Sequence, residues 1–170
     1  MHQDNSISDE LSCFSDAHEQ FEELLRQLSS PLMATAEHGE VEQYIHEQGQ
    51  ELMRRVLQGH LQNLAEKEQE RESVTVTRIR QRTQRQLHTR FGKVVVTRKS
   101  YETSAATAQF PLDSQLNLAG DRYSDGLRQM VAAQAALTSY DNTVELLQTH
   151  CAGTVPKRQA RQVMADMAQD

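Results

Sequence analysis

The chain has 170 residues, of which 37% are apolar and 25% charged, and it contains no Trp. This length suits one ordinary domain or two small ones, and the low apolar share predicts a modest core. No apolar run approaches the ~20 residues of a membrane span, and Met1 to Glu10 is polar and acidic, without the basic-then-apolar pattern of a signal peptide, so the expected compartment is the cytoplasm.

The net charge of −6 hides a strong partition. Residues 1–70 hold 4 basic and 15 acidic side chains, residues 71–99 hold 9 and 1, and residues 100–170 hold 5 and 8. A basic block set between acidic ones predicts a polyanion-binding surface in the middle of the chain.

Residues 1–14 read as a disordered tail. Residues 15–70 read as a helical hairpin. Ser15 or Asp16 caps its first helix, with Asp16 and Glu19 at capping-box spacing, and Ala17, Phe21, Leu24, Leu25 and Leu28 form one stripe. Ser29-Ser30-Pro31 ends it. The second helix is expected from about Gly39 to about Glu70, with Val41, Tyr44, Ile45, Leu52, Val56, Leu61 and Leu64 as its stripe. Gln48 and Arg55 interrupt any strict heptad, which favours antiparallel packing on the first helix over a long coiled coil. The acidic outer face repels DNA and places any docking surface elsewhere.

Residues 71–102 read as a basic β-hairpin. Val74 to Thr77 has β-branched strand character. Leu87 to Phe91 and Val94 to Tyr101 flank Gly92-Lys93, where glycine can take a positive φ. Val94 and Val96 share one face, and Val95, Thr97, Lys99 and Tyr101 the other. Arg78, Arg80, Arg82, Arg85, Arg90, Lys93 and Arg98 decorate this ribbon as candidate phosphate contacts. Residues 103–122 read as a linker, punctuated by Pro111 and Gly120. Residues 123–170 read as three short helices. Ser124 starts the first, with Leu127, Met130, Val131 and Leu137 inward. Ser139 caps the second, with Val144, Leu147 and Cys151 inward. Pro156 opens the third, with Ala160, Val163, Met164 and Met167 inward. The expected fold class is therefore mainly α with a small β-hairpin (α+β). The chain stops at Asp170 within a helical pattern, which reads as a truncation or a frame boundary.

Ser139 to Met167 has helix-turn-helix proportions. In such units the second helix enters the major groove with its N-terminal side chains at base edges. Here these are Lys157, Arg158, Gln159, Arg161 and Gln162, whose guanidinium and amide groups suit guanine and adenine. The seven histidines and the two cysteines, Cys13 and Cys151, show no metal-ligand spacing. The seven glycines are isolated, so there is no phosphate loop, and no Gly-x-Ser-x-Gly elbow is present. No catalytic residue, cofactor, metal, membrane or small-molecule substrate is expected. Double-stranded DNA is the expected partner, and a homo-oligomer is compatible with the pattern.

Four stretches carry a resemblance. They are Phe21 to Leu25 leading through Leu28-Ser29-Ser30-Pro31 to Glu40-Val41-Glu42; Phe91 to Arg98; Pro111 to Leu118 followed by Arg122-Tyr123-Ser124; and Val155 to Gln159. In this order, across roughly residues 20–165, the chain resembles the N-terminal region of the ISKra family of insertion-sequence transposases. The resemblance implies binding to the terminal repeats of a mobile element. It also implies a parent whose later RNase H-like domain cuts and joins DNA with three carboxylates and two metal ions. No strand bearing the first catalytic Asp occurs here, so no catalytic residue carries over. Two other readings fit the same pattern: a stand-alone helix-turn-helix regulator, and a helical interaction module whose ribbon meets an acidic partner.

Overall fold

A computed structural model describes residues 11–72, 79–102 and 108–168. It is mainly helical with a small three-stranded antiparallel sheet, an α+β fold. The chain forms two compact units, Met1–Val76 and Thr77–Asp170.

In the first unit a 3₁₀ turn, Ser12–Phe14, leads into α1, Ser15–Leu28. The short α2, Pro31–Ala34, follows Ser30, whose hydroxyl accepts from the Met33 amide. The long α3 spans His38–Glu72. Here α1 and α3 pack antiparallel: Gln20 Nε2 donates to Gln48 Oε1 at 2.9 Å, and further along Arg55 Nη1 donates to the Asp16 carbonyl at 3.2 Å. The contact face differs from the expected stripe. Ala17, Gln20 and Leu24 are buried, whereas Phe21 and Leu25 are 46% and 48% exposed. A single neighbouring helix covers only one flank of an apolar stripe, and the Gln20–Gln48 bond centres that contact on polar residues. The expected tail also needs correction, because Ser12–Phe14 is ordered against α3, with Cys13 Sγ donating to Glu66 Oε2 at 3.1 Å.

In the second unit β1, Ile79–Thr89, pairs antiparallel with β2, Gly92–Glu102, and the end of β2 pairs with β3, Ala108–Gln109. The hairpin turns at Arg90-Phe91, two residues before the expected position. Gly92 supplies the positive φ, 115°, and Thr89 Oγ1 braces the turn by accepting from the Phe91 amide. Strand β1 is also longer than expected. Its segment Thr83 to Gln86 has no apolar alternation, yet Thr83 and Arg85 lie on the same face as Leu87, Val94 and Val96. The strand character expected for Val74 to Thr77 lies outside the described residues.

The expected linker 103–122 is largely structured where it is described. Besides β3 it holds α4, Pro111–Gln115, which packs on β2 and buries Leu112. Residues 103–107 lie outside the described residues. Then come α5, Asp125–Ala135, α6, Tyr140–His150, and α7, Lys157–Met167. Ser124 and Ser139 cap α5 and α6 by accepting from the amides three residues on. The three helices share one core built on Leu127, Val131, Leu147, Val155, Ala160 and Val163. Leu137, expected inward, is 80% exposed because α5 ends at Ala135. Thr143 takes the buried place adjacent to Val144 and satisfies its hydroxyl on the Ser139 carbonyl at 3.0 Å.

The hairpin and the helices are locked together. The His88 amide donates to the Arg122 carbonyl at 2.7 Å, and the Ser124 amide donates to the His88 carbonyl at 2.9 Å. Gly153, in the turn before α7, lies against the Thr89 carbonyl, where a Cβ would clash with backbone. Among the described residues no helix is long and apolar enough to cross a membrane.

Candidate nucleic-acid interface

The structure sorts the predicted cations into two groups. Arg85 and Arg98 point to the inner face of the hairpin. Both pair with Asp113 Oδ2, Arg85 at 3.0 Å and Arg98 in close contact. The three side chains are only 13%, 17% and 16% exposed. Arg85 also donates to the carbonyls of Ala119 and Asp121, and the Arg98 guanidinium lies 3.9 Å over the Phe110 ring. These two arginines are therefore committed to folding the segment 110–121 onto the sheet. Their expected role as phosphate contacts is corrected accordingly: both side chains are largely enclosed and already paired with an internal carboxylate, which leaves little of either guanidinium for a ligand. Burial, and then the nearby Arg85, hold the Arg98 pKa below the usual arginine value.

Other cations are displayed. Arg82, Arg90 and Lys93 are exposed. Arg90 also packs its stem on α5, since a Cβ at Gly126 would stand 3.1 Å from its Cδ. Arg78 lies outside the described residues, as does the side chain of Arg80, whose backbone belongs to β1.

All five candidate residues of the last helix are exposed. They occupy the first two turns of α7, whose buried side is Ala160 and Val163. Lys157, Arg158, Arg161 and Gln162 line an open groove of about 620 Å³. Lys157 Nζ meets Asp141 Oδ2 at 2.5 Å, and Gln162 donates to Asp166 at 2.7 Å. These pairs are solvent-exposed and exchange readily for a ligand. The connection from α6 to α7 runs from Cys151 to Pro156, longer than the three or four residues usual in helix-turn-helix units.

Gln159 lines a second cleft of about 510 Å³ together with Arg85, Gln86, His88, Asp121 and Arg122. Three separate segments thus meet: β1, with Arg85 on its inner face and Gln86 and His88 on its outer face, the 120–122 loop and the first turn of α7. His88 and Lys93 are cross-strand partners on the outer face. Burial pushes the His88 pKa below its ordinary value, and the nearby charges of Lys93 and Arg122 add to the shift. Sequence reasoning does not reach His88, Gln86 or Arg122. Arg122 stands two residues before the visible Ser124 cap, but its approach to His88 depends on the bridge between residues 88 and 123, which leaves no local pattern. Among the described residues no three His, Cys, Asp or Glu side chains converge as metal ligands would.

Residues 34–169 match the model of the family described as Uncharacterised protein family (UPF0236). The chain belongs to UPF0236. No curated protein and no solved structure matches it. The matched span takes in the whole second unit as far as residue 169, so both clefts of this UPF0236 chain lie within the family's extent.

Proposed function

We propose that this UPF0236 chain binds double-stranded DNA, as the part of an insertion-sequence transposase that recognises the ends of its element. One observation carries the reading: Gln159 joins the displayed Lys157, Arg158, Arg161 and Gln162 to the cleft of His88 and Arg122. A helix with its first two turns in the major groove brings flanking cations such as Arg122 to the phosphate backbone. The charge partition supports the same assignment. The first unit has 5 basic and 16 acidic residues, the second 13 and 8. The transposon context rests on the ordered resemblance of the four stretches. The chemistry of strand cleavage belongs to the catalytic domain of a full transposase, and this chain supplies recognition.

Fluorescence anisotropy with a duplex carrying the element's end and with a scrambled duplex tests the reading. Binding should weaken with salt, with a log–log slope of about −0.9 per phosphate neutralised. Arg158→Ala or Arg161→Ala should narrow the gap between the two duplexes by ~1–3 kcal/mol for each base that is no longer read. The pair Lys93→Ala and Arg122→Ala should weaken both duplexes alike and flatten the salt slope. Equal weakening of both duplexes by both sets would remove α7 as the base reader. Absence of any salt-sensitive binding to duplex would overturn the proposal and favour a protein partner for the basic surface.

A further inference from the structure

We infer that two copies of this chain pair through one face of α3, antiparallel about a two-fold axis between Arg54 and Arg55. The inference is independent of DNA binding. Apolar surface is left open in the first unit. Ile45, Met53 and Val56 are 44%, 47% and 40% exposed. Taking Gln48 as the centre of the contact with α1, these residues lie roughly 60–140° around the helix at 100° per residue. Phe21 and Leu25 lie roughly 100–140° around α1 from Gln20, in the same rotational sense. Because α1 and α3 run antiparallel, equal rotation carries both sets to the same side of the hairpin. The result is a continuous apolar strip, whereas one helix pair by itself cannot enclose a core.

The occupant is identified by the symmetry of the strip. Positions 42, 45, 49, 53, 56, 60, 64 and 67 are spaced 3-4-4-3-4-4-3, which reads the same in both directions. Folding the pattern about its centre sets Met53 against Val56 of a second copy, Ile45 against Leu64, and Glu42 against Lys67. Every apolar position of the strip meets an apolar one, and an acid meets a base at each end. Glu42 and Lys67 are both exposed, and Glu42 pairs with the solvent-exposed His38 at 3.3 Å, a contact that a stronger partner can replace. A self-complementary patch is what an isologous two-fold contact requires. Gly49 adds room, since a Cβ there would meet nothing within 4 Å. In this register the C-terminal half of one α3 lies beside the N-terminal half of the other, where Phe21 and Leu25 flank it. A DNA occupant is disfavoured, because this unit carries a net charge of −11.

Sedimentation velocity on the full chain over a concentration series tests the pairing. The wild-type chain should form a reversible dimer. Met53→Glu with Val56→Glu should give a monomer of unchanged helix content by circular dichroism, since both positions are half-open in the single chain. Glu42→Lys alone and Lys67→Glu alone should each weaken the dimer by roughly tenfold, because each sets two like-charge pairs across the axis. An equimolar mixture of these two single variants should recover it, because opposite charges then face each other at both ends. These exposed charges can be changed without disturbing the fold, so the mixture remains informative should the double apolar variant unfold. A wild-type chain that stays monomeric at about 100 μM, a dimer indifferent to positions 53 and 56, or a mixture no tighter than its components would overturn the inference. The first of these outcomes would assign the strip to a different protein.

Discussion

Asp113 shows how one residue can redirect the meaning of two others. From the sequence, Arg85 and Arg98 belong to a basic ribbon; in the fold they are the largely enclosed partners of one carboxylate. Replacing Asp113 by Asn leaves two guanidinium groups facing each other with little solvent. The expected loss in a urea unfolding titration is below the ~3–5 kcal/mol of breaking a fully buried pair from one side, because these side chains keep some contact with water. The same substitution should leave the salt slope of DNA binding unchanged under conditions where the protein stays folded. His88 supplies a pH prediction. Its folded pKa lies below the ordinary 6.5, through burial first and then Lys93 and Arg122. The unfolded chain then binds more protons, so stability is highest above about pH 6.5 and falls as the pH drops through the folded value. A phosphate in the cleft would act in the opposite direction and raise the pKa. Titration of the His88 ring by NMR should give a value below 6.5 for the free protein and a higher one with duplex bound. A fall on binding would show that no anion approaches this ring.

The last three helices of the second unit are legible in the sequence because their signals are local, whereas α4, in the stretch read as a linker, is not. Ser124 and Ser139 cap where capping residues are expected, and Ala160, Val163, Met164 and Met167 fall on the buried side of α7 at helical spacing. The sheet is less legible. Gly92 announces the positive φ, yet the turn sits on Arg90 and Phe91, and most of β1 has no alternating pattern because its inner face holds Thr83 and Arg85. That face is made tolerable by Asp113, which lies on another element and leaves no trace in the strand itself. Gly153 is the corresponding contact between elements. With no side chain it lets the α6–α7 turn rest on the Thr89 carbonyl. Gly153→Ala should cost ~1–3 kcal/mol, the range for overpacking a close contact. It should also loosen the first turn of α7 against β1, read as faster amide exchange at His88 and Gln159. An unchanged melting midpoint would mean that the turn yields without cost.

At the scale of the whole molecule, charge follows the structural division. The first unit carries −11 and the second +5, so the overall −6 describes neither. The fragment Thr77–Asp170, which holds both clefts and the shared helical core, should fold alone and retain salt-sensitive duplex binding. A fragment with no cooperative thermal transition would show that the second unit depends on the first. The stretches that carry the family resemblance acquire physical roles here: Phe91 to Arg98 forms the turn and the inner β2 face, Pro111 to Leu118 supplies Leu112 and Asp113, and Val155 to Gln159 opens α7. The sequence by itself determined which long segments are helical, where the final helices begin, and that positive charge gathers beyond residue 70. These properties depend on neighbours a few positions apart. Tertiary structure decided which positive charges remain available. That outcome depends on contacts such as Asp113 with Arg85 and Arg98, or Gln159 with the cleft of His88 and Arg122, between residues some 15 to 70 positions apart.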